Sequence, residues 1–91
     1  MTNQERFKEY DNKHPEVYGY LLHLCRALRN RGLTKYAISP LLEIVRWEFR
    51  IVREEDEFKI RNDFKPWYAR KIAAENPEFS DFFSFRPIRS N

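Results

Sequence analysis

The strongest hydrophobic periodicity in the chain runs from Tyr36 to Arg53 and predicts a helix. Ser39 suits its N-cap position, and Pro40 suits the first helical position, where a missing N–H costs nothing. At about 100° per residue, a wide apolar arc collects Leu41, Leu42, Ile44, Val45, Trp47, Phe49, Ile51 and Val52. The narrow remaining arc holds Glu43, Arg46, Arg50 and Arg53. We therefore expect a helix packed on several sides, with mostly arginine left in solvent.

Capping residues predict two further helices before this segment. Thr2 and Glu5 form a capping-box pair, which predicts a short helix over residues 1–12 whose end is free to fray. Pro15 suits the first position of a stronger helix, and Gly32 suits its left-handed C-cap. Along this second helix, apolar residues repeat every three or four positions at Val17, Tyr20, Leu21, Leu24 and Leu28.

Two short segments have the character of strands. Residues 35–38 combine aromatic and β-branched side chains, and residues 57–61 alternate polar and apolar ones. Paired antiparallel, they would form a β-ribbon with Phe58 and Ile60 facing inward. A helix from Lys65 to Asn76 follows, with inward residues Tyr68, Ala69, Ile72 and Ala73. This order predicts a mainly α (α+β) fold, a small helical domain with a short two-stranded β-ribbon arranged like a winged helix.

The end of the chain is first aromatic and then polar. We expect a lid that closes the core, formed by Phe79, Phe82, Phe83 and Phe85. The alternative is an exposed aromatic patch that docks a partner or a second copy of the chain. Residues 86–91 form a polar tail.

Length and composition indicate one domain over residues 1–91. With 91 residues, 42% of them apolar, the chain can fold without staples. The single cysteine, Cys25, excludes an internal disulfide and a multi-cysteine zinc site. The N-terminus lacks an apolar signal-peptide core, and no apolar run approaches the roughly 20 residues of a membrane span. We therefore expect a cytoplasmic protein with no membrane segment.

Positive charge is concentrated in one part of the chain. The net charge is +3, but residues 21–53 carry seven basic and two acidic residues, a local charge of +5. Four acids at residues 54–57 follow directly, so a polyanion would approach on one side of this turn. We assign a nucleic-acid surface to Arg46, Arg50, Arg53, Lys59, Arg61, Trp67, Arg70 and Lys71. The other explanation is that these charges are only solvated.

Glu48 is the unusual polar residue, because it projects from the apolar arc of the central helix. A carboxylate in that position is paired, is hydrogen-bonded, or lies at a surface that the pattern mistakes for core. We therefore expect a structural polar residue of the core, bonded to Arg26, to Arg70 or to a tyrosine hydroxyl.

No combination of residues predicts catalysis. His14 precedes a helix-starting proline and is expected to cap that helix. His23 and Cys25 lie two positions apart, so they do not share a helix face as metal ligands. Two glycines, two histidines and one cysteine leave no phosphate-binding loop, metal-ligand set or catalytic triad spacing. We predict a non-enzymatic protein with no catalytic residues, no metal and no cofactor.

Five short motifs spread over residues 13–83 carry a family resemblance. They are His-Pro-Glu-Val-Tyr at 14–18, Ile-Val-Arg-Trp-Glu at 44–48, Phe-Lys-Ile-Arg-Asn at 58–62, Tyr-Ala-Arg at 68–70 and Pro-Glu-Phe at 77–79. Together they resemble a family of short, uncharacterised bacterial and phage or prophage proteins. In that family the loop before the strand often carries glycine, whereas here the loop is residues 54–57, and Arg61 and Asp63 replace asparagines. The resemblance implies a mobile-element origin and no particular activity.

Two functions from different classes follow. The first is a small winged-helix-like phage or bacterial protein that contacts double-stranded DNA through its basic helix face. The second is a protein–protein adaptor, or an inhibitor of a host complex such as a defence complex, that uses the mixed acidic and aromatic surface. The sequence leaves the oligomeric state open, a dimer included.

Overall fold

Helices make up the architecture of the described chain. A computed structural model describes residues 1–83 and contains, in that range, the helices α1 (Asn3–Lys13), α2 (Pro15–Asn30), α3 (Ile38–Trp47) and α4 (Lys65–Glu75). A π-helical turn at Glu48–Val52 continues α3, and 3₁₀ turns at Asn62–Phe64 and Pro77–Phe79 flank α4. Phe85 and the polar tail at 86–91 lie outside the described residues.

Three predicted helix ends are confirmed. Thr2 Oγ1 accepts a hydrogen bond of 3.1 Å from the Glu5 N–H, and the Glu5 carboxylate accepts one of 3.2 Å from the Thr2 N–H. Pro15 is the first residue of α2. That helix ends in a Schellman turn at Gly32, whose φ of 92° favours glycine, and the next N–H donates to Leu28 O at 3.1 Å. Local sequence therefore determines these boundaries.

The start of α3 differs from the prediction. Ser39 is not its N-cap, because Ala37 occupies that position in extended backbone (φ −99°, ψ 144°) and no side chain caps the helix. Pro40 is consequently the third helical residue. The N–H groups of the first turn have no acceptor within an α-helix, so proline is tolerated there as well.

The predicted β-ribbon is wrong, and with it the winged-helix arrangement. Residues 1–83 contain no β-strand. The Tyr36 N–H donates to Phe82 O at 3.0 Å, so the first expected strand contacts the C-terminal turn and does not pair with residues 57–61. Hydrophobic alternation specifies which side chains are buried, but it does not specify the partner of the backbone.

The alternation along residues 57–61 nevertheless places the expected side chains in the core. Phe58 and Ile60 are both buried, whereas Lys59 and Arg61 are exposed. The core that they join extends over every helix and comprises Phe7, Val17, Leu21, Cys25, Leu41, Leu42, Val45, Phe49, Phe58, Ile60, Phe64, Tyr68, Ala69, Ile72, Phe79, Phe82 and Phe83. Because the last three phenylalanines are buried, the lid interpretation is confirmed for them. Of the expected inward residues of α4, Ala73 alone is only half-buried.

Between Glu48 and Val52 the helix widens into a π turn. The Arg53 N–H donates to Glu48 O at 2.9 Å, five residues back. The turn ends at Glu54, whose φ of 57° lies in the left-handed region. A non-glycine residue in that region carries a steric cost of about 1–2 kcal/mol. The loop therefore has a backbone conformation that favours glycine while it carries glutamate.

We predict that Glu54→Gly stabilises the protein by about 0.5–1 kcal/mol, because relief of the left-handed strain exceeds the entropy cost of glycine. Urea denaturation followed by circular dichroism measures this change. Glu55→Gly is the matched control, since it removes the same charge at a position without positive φ, and we expect it to lower stability. A Glu54→Gly protein no more stable than the wild type would contradict the strain argument.

Candidate functional site

Two of the arginines that were predicted to bind DNA form hydrogen bonds to backbone carbonyls of the chain itself. Arg46 Nη2 donates to Ile60 O at 2.9 Å, and Arg50 Nη2 donates to Phe58 O at 2.8 Å. Arg46 also pairs with Glu43 one turn earlier. Arg46 and Arg50 thus supply the donors that a neighbouring strand would have supplied in the predicted ribbon. We call these two residues the arginine clamp.

Tyr10 of α1 completes the same set of backbone contacts. Its hydroxyl donates to Lys59 O at 2.7 Å, so the carbonyls of residues 58, 59 and 60 each accept a bond from a side chain. Burial raises the pKa of Tyr10 to about 12, so this hydroxyl, which any tyrosine keeps protonated at neutral pH, remains a donor at alkaline pH as well. Side chains from two helices therefore satisfy an irregular segment that has no strand partner.

Glu48 and Arg53 form a pair at the margin of the core. Arg53 Nε donates to Glu48 Oε2 at 3.1 Å, and Tyr20 OH donates to Glu48 Oε1 at 3.3 Å. The guanidinium lies 4.1 Å from the centroid of a core phenylalanine ring. The expected arginine partners, Arg26 and Arg70, are wrong, although a tyrosine hydroxyl does bond to the carboxylate. The Glu48 side chain is 23% exposed, so it borders the core and is not enclosed by it.

Half of the predicted nucleic-acid residues meet in one shallow groove. This groove of about 380 Å³, which we call the clamp groove, has as its polar lining Arg46, Arg50, Lys59 and Arg61. Arg61 also pairs with Asp63 at 2.6 Å. The acids at 55–57 line an adjoining hollow together with Lys59. Positive and negative groups therefore lie side by side at this end of the molecule.

Of the other four predicted residues, Trp67, Arg70 and Lys71 lie on α4 and Arg53 follows the π turn; none of them lines the clamp groove. Trp67 is half-buried and stacks on Phe7, with ring centroids 6.5 Å apart. The Arg70 guanidinium lies 5.4 Å from the Trp67 ring centroid. Lys71 forms an ion pair with Asp11 and lies 4.2 Å above the ring of a tyrosine of α2. Trp67 and Lys71 thus join α4 to the first two helices.

The least expected feature is an exposed row of apolar side chains on α3 and the π turn. We call it the apolar stripe; its exposed fractions are 41% for Ile44, 63% for Trp47, 51% for Ile51 and 58% for Val52. The wide apolar arc predicts a helix packed on several sides. In the structure, only the face that carries Leu41, Leu42, Val45 and Phe49 is covered by the rest of the described chain. Ile44, Trp47 and Ile51 follow the alternating three and four of a coiled-coil seam. Leu42, Val45 and Phe49 on the buried face have the same spacing, so spacing does not distinguish the exposed face from the buried one.

The histidines and the cysteine do not converge on a reactive centre. His14 is the N-cap residue of α2, as expected, and its carbonyl accepts from the Val17 N–H at 3.1 Å. Its side chain makes no capping bond, and its Nδ1 lies 3.3 Å from Glu16 Oε1. The ring of His23 lies against that of Tyr20. Cys25 is fully buried, and burial raises the pKa of its thiol to about 11. A thiol of that kind is a poor nucleophile at neutral pH.

We predict that Arg50→Gln lowers the free energy of unfolding by about 1–3 kcal/mol, because a charged donor to the Phe58 carbonyl is lost. Chemical denaturation gives the value. Arg26→Gln serves as the control, because Arg26 is exposed on α2 and forms no ion pair within residues 1–83. Equal stability of the two variants would show that the clamp contributes nothing.

Three further searches add no site to the surfaces described above. Within the described part of the chain, no three side chains of His, Cys, Asp or Glu are grouped to hold a metal ion. Among the same residues, every helix is too short or too polar to cross a membrane. No protein-family model matches the chain, and no curated protein or solved structure is significantly similar to it.

Proposed function

We propose that this chain is a non-enzymatic protein-interaction module and that the apolar stripe is its interface. The observation that carries the proposal is the exposure of Trp47, a residue that is 63% exposed and lies between two exposed isoleucines. Contiguous apolar patches on soluble proteins mark interaction sites, and tryptophan is among the commonest binding hot spots. The helix-in-groove and helix-on-helix modes both use anchors at this spacing.

The charges beside the stripe favour a second copy of the chain as the occupant. Glu43 and Arg50 are seven residues apart and lie on the same flank of the stripe. When two identical helices pack antiparallel about a two-fold axis, positions on the same flank face each other. Glu43, which also pairs with Arg46 of its own chain, then faces Arg50 of the other copy, and this contact occurs twice. The stripe is thus complementary to itself in charge as well as in apolar character.

The size of the stripe sets the strength of the association. Its four side chains expose roughly 400 Å² of surface per copy, by comparison with the 150–250 Å² that a buried aromatic side chain covers. The stripes of two copies would together bury somewhat less than the roughly 1,200 Å² at which specific interfaces begin. The flanking charged side chains add further buried area. We therefore expect a reversible dimer of micromolar affinity.

We predict that Trp47→Ser weakens this dimer at least roughly tenfold, because truncation of a central tryptophan is a hot-spot loss. Sedimentation equilibrium over a range of concentrations measures the dissociation constant. Leu33→Ser is the matched control, because Leu33 is 40% exposed after the end of α2 and lies off the stripe. A wild-type chain that stays monomeric at millimolar concentration would exclude the second copy and leave a host protein as the occupant.

A mixing experiment tests the antiparallel register. Glu43→Arg and Arg50→Glu each place like charges opposite each other in a homodimer, so each variant alone should be mainly monomeric. Mixed together, the two variants restore both opposite-charge pairs and should form a heterodimer. Because Arg50→Glu also removes a clamp bond, its folding is first verified by circular dichroism. Two variants that each dimerise as well as wild type would contradict this register.

Nucleic-acid contact is a second candidate, favoured by the clamp groove. Arg50 uses Nη2 for the clamp, and a guanidinium has five donors in all. Arg46 has fewer donors left, because it also bonds to Glu43 and Asn62. Lys59 and Arg61 are exposed on the same groove. Four cations along one groove could follow a phosphate backbone, although the acids at 55–57 weaken attraction on one side.

For this candidate we predict that the double change Lys59→Gln and Arg61→Gln flattens the salt dependence of duplex-DNA binding by about two units of log–log slope. Fluorescence anisotropy with a labelled duplex measures that slope. A double change of equal charge elsewhere, Lys8→Gln with Arg26→Gln, is the control and should alter the slope less. Absence of binding at about 50 mM salt, where screening is weak, would exclude the candidate.

A further inference from the structure

A basic cleft lies between the start of α3 and the start of α4. Its volume is about 590 Å³, and its lining among residues 1–83 includes Lys35, Lys65 and Arg70 but no acidic residue. The three cations come from two separate segments of the chain, the loop before α3 and the first two turns of α4. None of them takes part in an ion pair within residues 1–83.

The two helix starts that border this cleft lack the groups that usually complement such ends. The N-terminal end of a helix carries partial positive charge, so acidic residues or side-chain caps normally occupy its first turn. Neither α3 nor α4 has an acid in its first turn or a side-chain cap. Instead Lys65 is the first residue of α4, and Ala37, Ile38 and Ser39 at the start of α3 line the cleft opposite it.

Other features of the cleft suit a ligand with one anionic end. Tyr36 and Ser39 add hydroxyl groups to the lining, while Pro66, Ala69 and Phe83 make part of the wall apolar. A volume of about 590 Å³ falls within the range of small-molecule sites and exceeds what a bare phosphate needs. The cleft shares no residue with the apolar stripe.

We propose that this cleft binds a phosphate group, with Lys35, Lys65 and Arg70 as its ligands. Arginine and lysine are the side chains that pair with phosphate oxygens, and arginine does so through two parallel donors. A phosphate dianion would neutralise most of the three charges and would complement the uncapped start of α3. The phosphate belongs either to a free phosphate ester, such as a nucleotide, or to a nucleic-acid chain.

Isothermal titration of the full chain tests the site at about 50 mM salt, where screening is weak. The probes are pyrophosphate, adenosine monophosphate and a short single-stranded oligonucleotide. We expect saturable binding of at least one probe, with Arg70→Gln and Lys35→Gln each weakening it roughly tenfold, as loss of one charge-assisted contact does. Binding of adenosine monophosphate with the same cleft dependence identifies a free ester, whereas binding of the oligonucleotide alone identifies a nucleic-acid chain.

Lys8→Gln is the matched control, because Lys8 is an exposed lysine of α1 outside the cleft. Lys8→Gln removes the same charge as Lys35→Gln, so comparing the two variants distinguishes binding at the cleft from general attraction of the probe to the net charge of the protein. Equal weakening by Lys8→Gln and Lys35→Gln would overturn the proposal. Failure of all three probes to bind would overturn it too, and either result would leave the apolar stripe untouched, since the two surfaces have no residue in common.

Discussion

The fold depends on a small set of side-chain donors that hold residues 58–60 against the helices. Phe58 and Ile60 contribute two large side chains to the core, but the backbone between them has no strand partner. Buried carbonyls without donors would offset much of what those side chains gain from burial. Arg46, Arg50 and Tyr10 supply the donors. Arg46 and Arg50, which the sequence predicts to bind a ligand, therefore stabilise the fold.

This role changes how the basic residues contribute to function. A guanidinium fixed by a backbone carbonyl has lost much of its conformational freedom, so its unused donors are preorganised, but the bond also occupies part of its hydrogen-bonding capacity. The clamp groove and the basic cleft differ in this respect. The groove includes two arginines that the fold already needs. In the cleft, Lys35 and Lys65 form no ion pair within residues 1–83, and Arg70 contacts only the Trp67 ring there.

The clamp also explains why one side of α3 remains uncovered. Arg46 and Arg50 draw residues 58–60 onto their own flank of the helix, while α2 and α4 cover the buried face. No segment within residues 1–83 is then left to cover the apolar stripe. A helix with two apolar faces requires two partners, and the described chain supplies one layer of them. Within residues 1–83 the second face stays exposed, and this exposure is the physical basis for the proposed interaction module.

Local sequence determined the helices and most of the core, because caps and hydrophobic periodicity act within a few residues. Thr2 with Glu5, Pro15, Gly32 and the aromatic cluster after Asn76 all behave as their local chemistry requires. No local pattern predicted three features: the backbone partners of residues 57–61, the partner of Glu48 and the exposure of Trp47. Each of them depends on which distant segment occupies a given flank of α3. Hydrophobic periodicity indicates which faces of a helix are apolar, but only the tertiary structure shows which of those faces the chain itself buries.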